Sequence, residues 1–393
     1  MKQIITAKLK LVIPKEDHNN LLQTIIAFKK ATNFVLQENY NDKSSNVKTI
    51  HTKYYRIIRE QFQLPSQLAC STEKLCSNIT TTMWSRFKNQ NDKAILKTVP
   101  KYKRLTAKYT LNRDITIKTD KMECSITTLT GRLKNIPLKG WERHYKHIKN
   151  GRLCDPQITY DTNKKRFYLL LPIELDIEEK QQKQIVGIDA GQRCALTCVS
   201  DNEVKEYDIP ETARQEKTRL CKLRGVLQSK GTRSAKRKLG SISKRERRLI
   251  SDVSHCISKQ VVSDFQDAQL IMEDLNGIRN RIKTFRKDKE QRRQVEQWNY
   301  FELQHKIGYK SVLYNSIQSV KINPAYTSQT CPKCFHISEE NRPNGSEIFH
   351  CVNCDFEKLA DVVAGMNIRF KGLLINQPIV RGFNQPLEQS VLL

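Results

Sequence analysis

Two cysteine knuckles constrain this chain more than any other feature: Cys331-Pro332-Lys333-Cys334 and Cys351-Val352-Asn353-Cys354, with sixteen residues between them. A two-residue step lets both sulfurs of one turn reach the same ion. Two such turns can therefore supply four thiolates to one tetrahedral Zn²⁺. Four thiolates leave no open position for water, so this zinc reads as structural. The alternative is coincidental cysteines or a redox pair. The other eight cysteines (70, 76, 124, 154, 194, 198, 221 and 256) lack ligand spacing and read as small buried residues or free thiols. In so long and Lys-rich a chain, that usage fits a reducing compartment with one metal site.

Length and charge narrow the class. A chain of 393 residues implies two to three domains. Lys and Arg number 69 against 41 Asp and Glu, a net charge of +28. Such an excess favours a polyanionic partner, nucleic acid before an anionic membrane. No apolar stretch approaches the ~18–20 residues of a spanning helix. The N-terminus lacks an apolar segment of useful length, so secretion is not expected.

Along the chain, residues 1–13 alternate as a strand (Ile5, Ala7, Leu9, Leu11) that Pro14 stops. Residues 16–90 carry helical periodicity, broken at Leu64-Pro65-Ser66-Gln67, where Ser66 can cap the next helix. Residues 105–175 read as β-rich, with turn signals at Gly131, Gly140 and Asn150-Gly151 and a strong strand over 167–171. A β region on both sides of a helical insert suggests one β domain interrupted in sequence. After a charged linker come buried-type strands at 185–189 and 195–199, then a basic helical stretch over 214–250. An amphipathic stripe follows (Ile250, Val253, Ile257, Val261, Phe265, Ala268). Leu270-Ile271-Met272 predicts a buried strand ending at Glu273. A second basic stretch, Arg279 to Arg293, precedes a helix near 298–314 and a strand at Val320 and Ile322. The residues after Pro378 read as a loose tail.

Three acids sit where chemistry can use them. Asp189 ends one buried strand, Glu273 ends another, and Asp361 begins a helical stretch. Singly each has a plain reading: a chance G-x-D-x-G match, a solvated strand end, or a first-turn acid meeting a helix dipole. Together, strand ends and a helix N-terminus can converge three carboxylates. Such a cluster repels itself and is relieved by divalent cations. Two Mg²⁺ ions, which prefer oxygen ligands, suit phosphodiester hydrolysis.

These segments resemble a known family. Gly187-Ile188-Asp189-Ala190-Gly191, Ile271-Met272-Glu273-Asp274-Leu275-Asn276 and Asp361-Val362-Val363-Ala364-Gly365-Met366-Asn367-Ile368 look like the three RuvC-type nuclease motifs of transposon-encoded TnpB proteins and of their descendants, the compact type V CRISPR effectors. The knuckles lie between the second and third motifs, as in that family. Tyr326-Thr327-Ser328-Gln329-Thr330-Cys331, residues 248–255 and Trp298 are also similar. The resemblance is strong over roughly 185–370 and extends weakly into the N-terminal half. Departures are Phe335 and Asp355, where Gly often follows each knuckle, Val363 in place of a polar Asn, and the segment Lys358-Leu359-Ala360 before Asp361, where an Arg is frequent.

The resemblance implies an α/β multidomain protein. A β-barrel-like wedge domain (1–13 and 106–180) is interrupted by a helical recognition domain (14–105). An RNase H-like nuclease domain (181–330 and 355–377) carries a zinc ribbon (331–354), and a tail spans 378–393. It further implies an RNA-guided DNA endonuclease with a guide RNA and target DNA as partners. Asp189, Glu273 and Asp361 would hold catalytic Mg²⁺, and Cys331, Cys334, Cys351 and Cys354 would hold structural Zn²⁺. A prokaryotic cytoplasm, near the nucleoid, and a monomeric state without a membrane partner are expected. The alternatives are a miniature type V effector or a nuclease-inactive RNA-guided repressor. Further rivals are an unguided zinc-ribbon accessory factor of a transposase and an actin-like ATPase built around 187–191.

The charge supports a phosphate-binding surface. Arg214, Lys217, Arg219, Lys222, Arg224, Arg233, Lys236, Arg237, Lys238, Arg247 and Arg248 are opposed only by Glu216 and Glu246. A solvated helix normally mixes signs. Lys97, Lys101, Tyr102, Lys103, Arg104, Lys108, Tyr109 and Arg113 interleave cations and rings, a pattern suited to backbone neutralisation and base stacking. Tyr54, Tyr55, Trp84 and Phe87 read as helix core.

Overall fold

The computed structural model describes residues 1–42, 44–90, 98–191, 194–275, 300–343 and 346–376. Lys97, the basic stretch 279–293, Trp298 and the tail 378–393 lie outside the described residues. The chain divides into two compact units, Lys2–Asp176 and Ile177–Leu393, the latter joined by Met1.

In the first unit, β1 (Lys2–Leu11) leads into α1 (Lys15–Asp42), α2 (Val47–Phe62) and α3 (Ser66–Gln90). The chain then runs through β2 (Thr106–Lys108), β3 (Ile115–Lys118), β4 (Glu123–Thr128), β5 (Gly131–Lys139), α4 (Glu142–Asn150), β6 (Arg152–Leu153), β7 (Gln157–Asp161) and β8 (Arg166–Asp176). The sheet order is β2-β7-β8-β1-β5-β4-β3, so β1 lies between two strands more than a hundred residues away. Its register with β8 is antiparallel from Lys2–Asp176 to Lys10–Tyr168. The alternation of Ala7, Leu9 and Leu11 puts these side chains in the core.

Helix α4 was not expected inside the β-rich stretch. It has nine residues and one buried apolar side chain, Ile148, so it leaves no periodicity to read. Its ends coincide with the turn signals at Gly140 and Gly151. Nor does Ser66 act as a cap. Ala69 N–H donates to the Pro65 carbonyl at 3.0 Å, which moves the cap position to Pro65.

The second unit is built on a five-stranded sheet: β9 (Gln184–Asp189), β10 (Leu196–Val199), β11 (Val204–Tyr207), β12 (Ala268–Glu273) and β13 (Val320–Ile322), ordered β11-β10-β9-β12-β13. The pairs within β9 to β11 are antiparallel, and β12 runs parallel to both β9 and β13. The basic region forms α5 (Glu211–Lys230) and α6 (Arg233–Asp264), broken at Gly231 with φ +60°. The apolar stripe ends at Phe265, and Ala268, expected on the helix, is the first residue of β12. Helix α7 (Tyr300–Lys310) continues into a π turn over Ser311–Asn315. A two-stranded hairpin, β14 (Ile348–His350) and β15 (Glu357–Leu359), runs directly into α8 (Ala360–Asn376).

Strand parity sorts the side chains between two faces. Val186, Ile188, Leu270 and Met272 join Val253, Ile257, Val261, Phe265, Leu303 and Ile307, so α6 and α7 cover one face. Ile185 and Ile271 join Ile322 and Ile368 beneath α8 on the other. Asp189 and Glu273 share the parity of Ile185 and Ile271 and therefore point to the α8 face.

Candidate active site and metal centre

Registered pairing of β9 with β12 ends at Ile188–Met272, so Asp189 and Glu273 follow side by side at the strand ends. The third acid arrives through glycine. A Cβ at Gly187 would fall well inside contact distance of the Gly365 carbonyl and 2.5 Å from the Arg369 backbone nitrogen. One at Gly365 would lie 2.5 Å from Val199 Cγ2. Helix α8 therefore rests its backbone on β9. From the Gly187–Gly365 contact, Asp189 is two strand residues away, about 6.6 Å. Asp361 is four helix residues away in the opposite chain direction, about 6 Å. The near-equal lengths bring Asp361 opposite Asp189, and the Arg369 Nε bond to Ile185 O (3.1 Å) fixes the same register at the other end.

The electrostatics agree with this convergence. Burial, then the charges of Glu273 and Asp361, push the Asp189 carboxyl up to about 8, with Arg342 opposing. A Cβ at Gly191 would lie 3.1 Å from Asp361 Oδ2, so the bare backbone of that turn forms one wall of the site. The Tyr300 hydroxyl, kept protonated by burial that raises it to about 12, donates to Gly191 O at 2.6 Å. Glu273 is held twice: Thr327 Oγ1 donates to its Oε1 at 2.5 Å, and Gln304 Nε2 to its main-chain oxygen at 3.0 Å. Buried Asn367 Nδ2 donates to Thr327 O and Thr330 O, both at 2.8 Å, tying α8 to the turn that carries Thr327.

Arg342, like Tyr300 and Gln304, is a residue that sequence reasoning missed. Its guanidinium lies 3.6 Å from Asp361 Oδ1, although it stands between the two cysteine knuckles. Arg342 thus brings a cation to Asp361 from a distant part of the ribbon. No local pattern announces it. Thr327 and Asn367 fell within recognised motifs, but their bonds did not.

In the cysteine centre, Cys331 Sγ and Cys354 Sγ are 3.6 Å apart, and Cys334 Sγ and Cys351 Sγ 3.5 Å. A tetrahedron of Zn–S bonds near 2.3 Å has edges of about 3.8 Å, so the four sulfurs fit one zinc ion. Asn353 Nδ2 donates to Cys334 Sγ and, with the His336 backbone, holds that thiol at about 6, on the thiolate side. Burial instead pushes Cys331 up to about 12, so a zinc ion bound there would displace its proton. The knuckles repeat one conformation: Phe335 N–H donates to Cys331 O and Asp355 N–H to Cys351 O, both at 2.9 Å, with φ +58° and +55°. This left-handed backbone explains why glycine suits both positions. The hairpin carries the centre to the acids: Phe349, Ala360 and Val363 pack with Cys331 and Cys351, and Ala360 N–H donates to Glu347 O at 2.8 Å.

Among the described residues, two sets of three or more candidate ligand atoms lie within 4.8 Å of one another. One is these four cysteines; the other is His51, Cys70 and Glu73. The three acids form a looser cluster.

Of the basic positions, Arg233, Lys236, Arg237, Lys238, Arg247, Arg248, Lys101, Lys103 and Arg104 are exposed. Glu216 is taken by Arg219 and Arg245, and Glu246 by Arg224, so the opposing acids are spent within the stretch. Lys217 does not belong to this surface; it is 4% exposed, and burial lowers its pKa. Tyr109 is fully buried and offers no stacking face. Tyr102 is half-buried, with its hydroxyl donating to Thr106 O at 3.0 Å and its N–H to Asn33 Oδ1 at 2.7 Å.

The family model described as Cas12f1-like, TNB domain, matches residues 300–368, which include the ribbon and Asp361. The TnpB-like protein MJ0751 of Methanocaldococcus jannaschii is 28% identical over 216 residues, 52% of this chain and 74% of that protein. Over about half its length the chain is thus similar to TnpB-like proteins. The CRISPR-associated endodeoxyribonuclease Cas12f1 of Sulfoacidibacillus thermotolerans is 29% identical over 230 residues. That match spans 54% of this chain and about half, 52%, of the relative. In three dimensions, the chain in the structure of a Cas12f1-sgRNA-target DNA complex matches with a TM-score of 0.63 at 15% identity, over 94% of this chain and 99% of that one. The fold of this chain is thus mixed α/β with a ribbon-like cysteine cluster. No helix among the described residues is long and apolar enough to cross a membrane.

Proposed function

We propose that this chain is an RNA-guided DNA endonuclease, hydrolysing phosphodiester bonds at Asp189, Glu273 and Asp361. The carrying observation is the convergence of the three acids at the end of β9 and β12, with Asp189 raised to about 8 by burial and by the other two. Carboxylates so placed destabilise one another until a divalent cation neutralises them. The glycine wall at Gly191 leaves room beside them. The residues fit Mg²⁺, which takes oxygen ligands and keeps several waters, so a loose cluster suffices. When bound, paired Mg²⁺ ions supply an activated water and stabilise the leaving oxygen.

The protein's own groups orient this chemistry. Thr327 and Gln304 fix Glu273, Tyr300 fixes the Gly191 turn, and Asn367 ties the Thr327 turn to the helix bearing Asp361. Arg342 places positive charge beside Asp361, where a scissile phosphate would collect negative charge. The strand order β11-β10-β9-β12-β13, with a three-stranded meander and two parallel strands, supports an RNase H-like nuclease domain carrying the ribbon. The first unit reads as the wedge-like domain with its helical recognition insert. The exposed cations of α6 would meet nucleic-acid backbone, while guide–target base pairing reads sequence.

Asp189→Ala tests the assignment: it should abolish Mg²⁺-dependent cleavage while guide RNA and target binding stay nearly intact. Equal cleavage by wild type and variant removes it. Sequencing RNA that co-purifies with the protein tests the guide; absence of a discrete species favours an unguided DNA-binding factor.

A further inference from the structure

We propose that the helical part of the first unit holds a second transition-metal site, formed by His51 of α2 with Cys70 and Glu73 of α3, for a borderline-soft divalent cation such as Zn²⁺. One candidate ligand atom from each side chain lies within 4.8 Å of the other two. Cys70 and Glu73 are three residues apart on one helix and so share a face. His51 comes from the neighbouring helix, where Ile50, Tyr54 and Ile58 face the core and leave the imidazole at the rim. His51 Nδ1 is 2.8 Å from Glu73 Oε2.

Glu73 makes the second, independent observation. Its side chain is 1% exposed, and its other oxygen, Oε1, is buried without a hydrogen-bond partner. A buried carboxylate satisfied on one oxygen alone is an unstable arrangement, because the second oxygen has lost water and gained nothing. A cation held by the His51 ring, the Cys70 sulfur and the carboxylate through Oε1 would remove that deficit. The donor set is one nitrogen, one sulfur and one oxygen. That selects Zn²⁺ or a similar ion over Mg²⁺, which prefers oxygen alone. Three protein ligands leave the fourth position of a tetrahedron to water at the open, His51 side. Bound metal would pin α2 to α3.

The site shares no residue with the acids or the four-cysteine centre, which belong to the other compact unit, so a difference measurement isolates it. The full-length chain is stripped with chelator and re-equilibrated with Zn²⁺ alone in a metal-buffered solution. Zinc per chain is then counted by mass spectrometry of the element. Wild type should hold one equivalent more than His51→Ala and Cys70→Ser. His51 is half-exposed, so His51→Ala should keep its helical circular dichroism, and Glu73→Gln, an isostere, should lose the same equivalent. Zinc filling of the four-cysteine centre cancels in the comparison. Identical zinc content in wild type, His51→Ala and Cys70→Ser overturns the proposal.

Discussion

Replacing Asp189 with Asn should make the metal-free protein more stable while destroying its cleavage. In the folded state the Asp189 carboxyl is raised to about 8, against an unperturbed value of about 3.9. Between those values the folded protein keeps a proton that the unfolded chain releases. Stability contributed by this group is therefore full below pH ~4 and declines as pH rises towards 8. At about 1.4 kcal/mol per pH unit, the three units up to pH 7 set a ceiling of about 4 kcal/mol. Partial solvent access and titration shared with Glu273 and Asp361 reduce this to about 1–2 kcal/mol. For a unit of this size that is roughly 3–6 °C in melting temperature. The assay is thermal unfolding in EDTA at pH 7.5 and at pH 5, then with Mg²⁺ or Mn²⁺. The Asp189→Asn variant should melt higher than wild type in EDTA at pH 7.5, the gap should narrow at pH 5, and added metal should help the wild type more. A variant that melts at or below wild type in EDTA at pH 7.5, or a gap independent of pH, refutes the reasoning.

Other changes probe the supports. Gly187→Ala pushes a methyl into the backbone of α8 and should destabilise the second unit by about 2 kcal/mol or more, read as a lower melting temperature with reduced cleavage. Thr327→Val removes the donor to Glu273 Oε1; a loss of about 1–3 kcal/mol in transition-state stabilisation, five- to over a hundredfold in single-turnover rate, is expected with little change in DNA affinity. Asp355→Gly relieves a left-handed non-glycine residue and should retain zinc longer against a chelator, by up to about 1 kcal/mol of stability. Removing zinc should lower cleavage more than it lowers nucleic-acid affinity, measured by parallel cleavage and filter-binding assays, because the ribbon leads into Asp361 and carries Arg342.

What the residues disclosed follows from how local each signal is. The strand ends at Asp189 and Glu273 were readable because apolar runs stop at an acid, and the knuckles because two-residue spacing is itself the ligand geometry. Helix α8 was readable from its apolar run after Asp361. β11 and α4 were not: the first is a short edge strand with Val204 exposed, and the second buries only Ile148. Lys217 and Tyr109 looked like binding residues because composition cannot say which side of a helix or strand faces inward.

The convergence of the acids occupies a middle ground. Parity along β9 and β12 places Asp189 and Glu273 on one face from sequence alone, but nothing local says that α8 lies against that face. Gly187 and Gly365 carry that information, and only as a pair: a residue without a side chain on the strand, two before the acid, meets one on the helix, four after its acid. Each glycine alone is an ordinary small residue; together their spacing measures equal distances along two different backbones. Arg342 has no such marker. It reaches Asp361 because the ribbon folds back over the helix N-terminus, so its placement depends on the four-cysteine ribbon rather than on any periodicity. Arg342 should therefore lose its place when zinc is lost even if α8 remains folded on the sheet, whereas Asp189 and Glu273, fixed by strand pairing, should stay where they are.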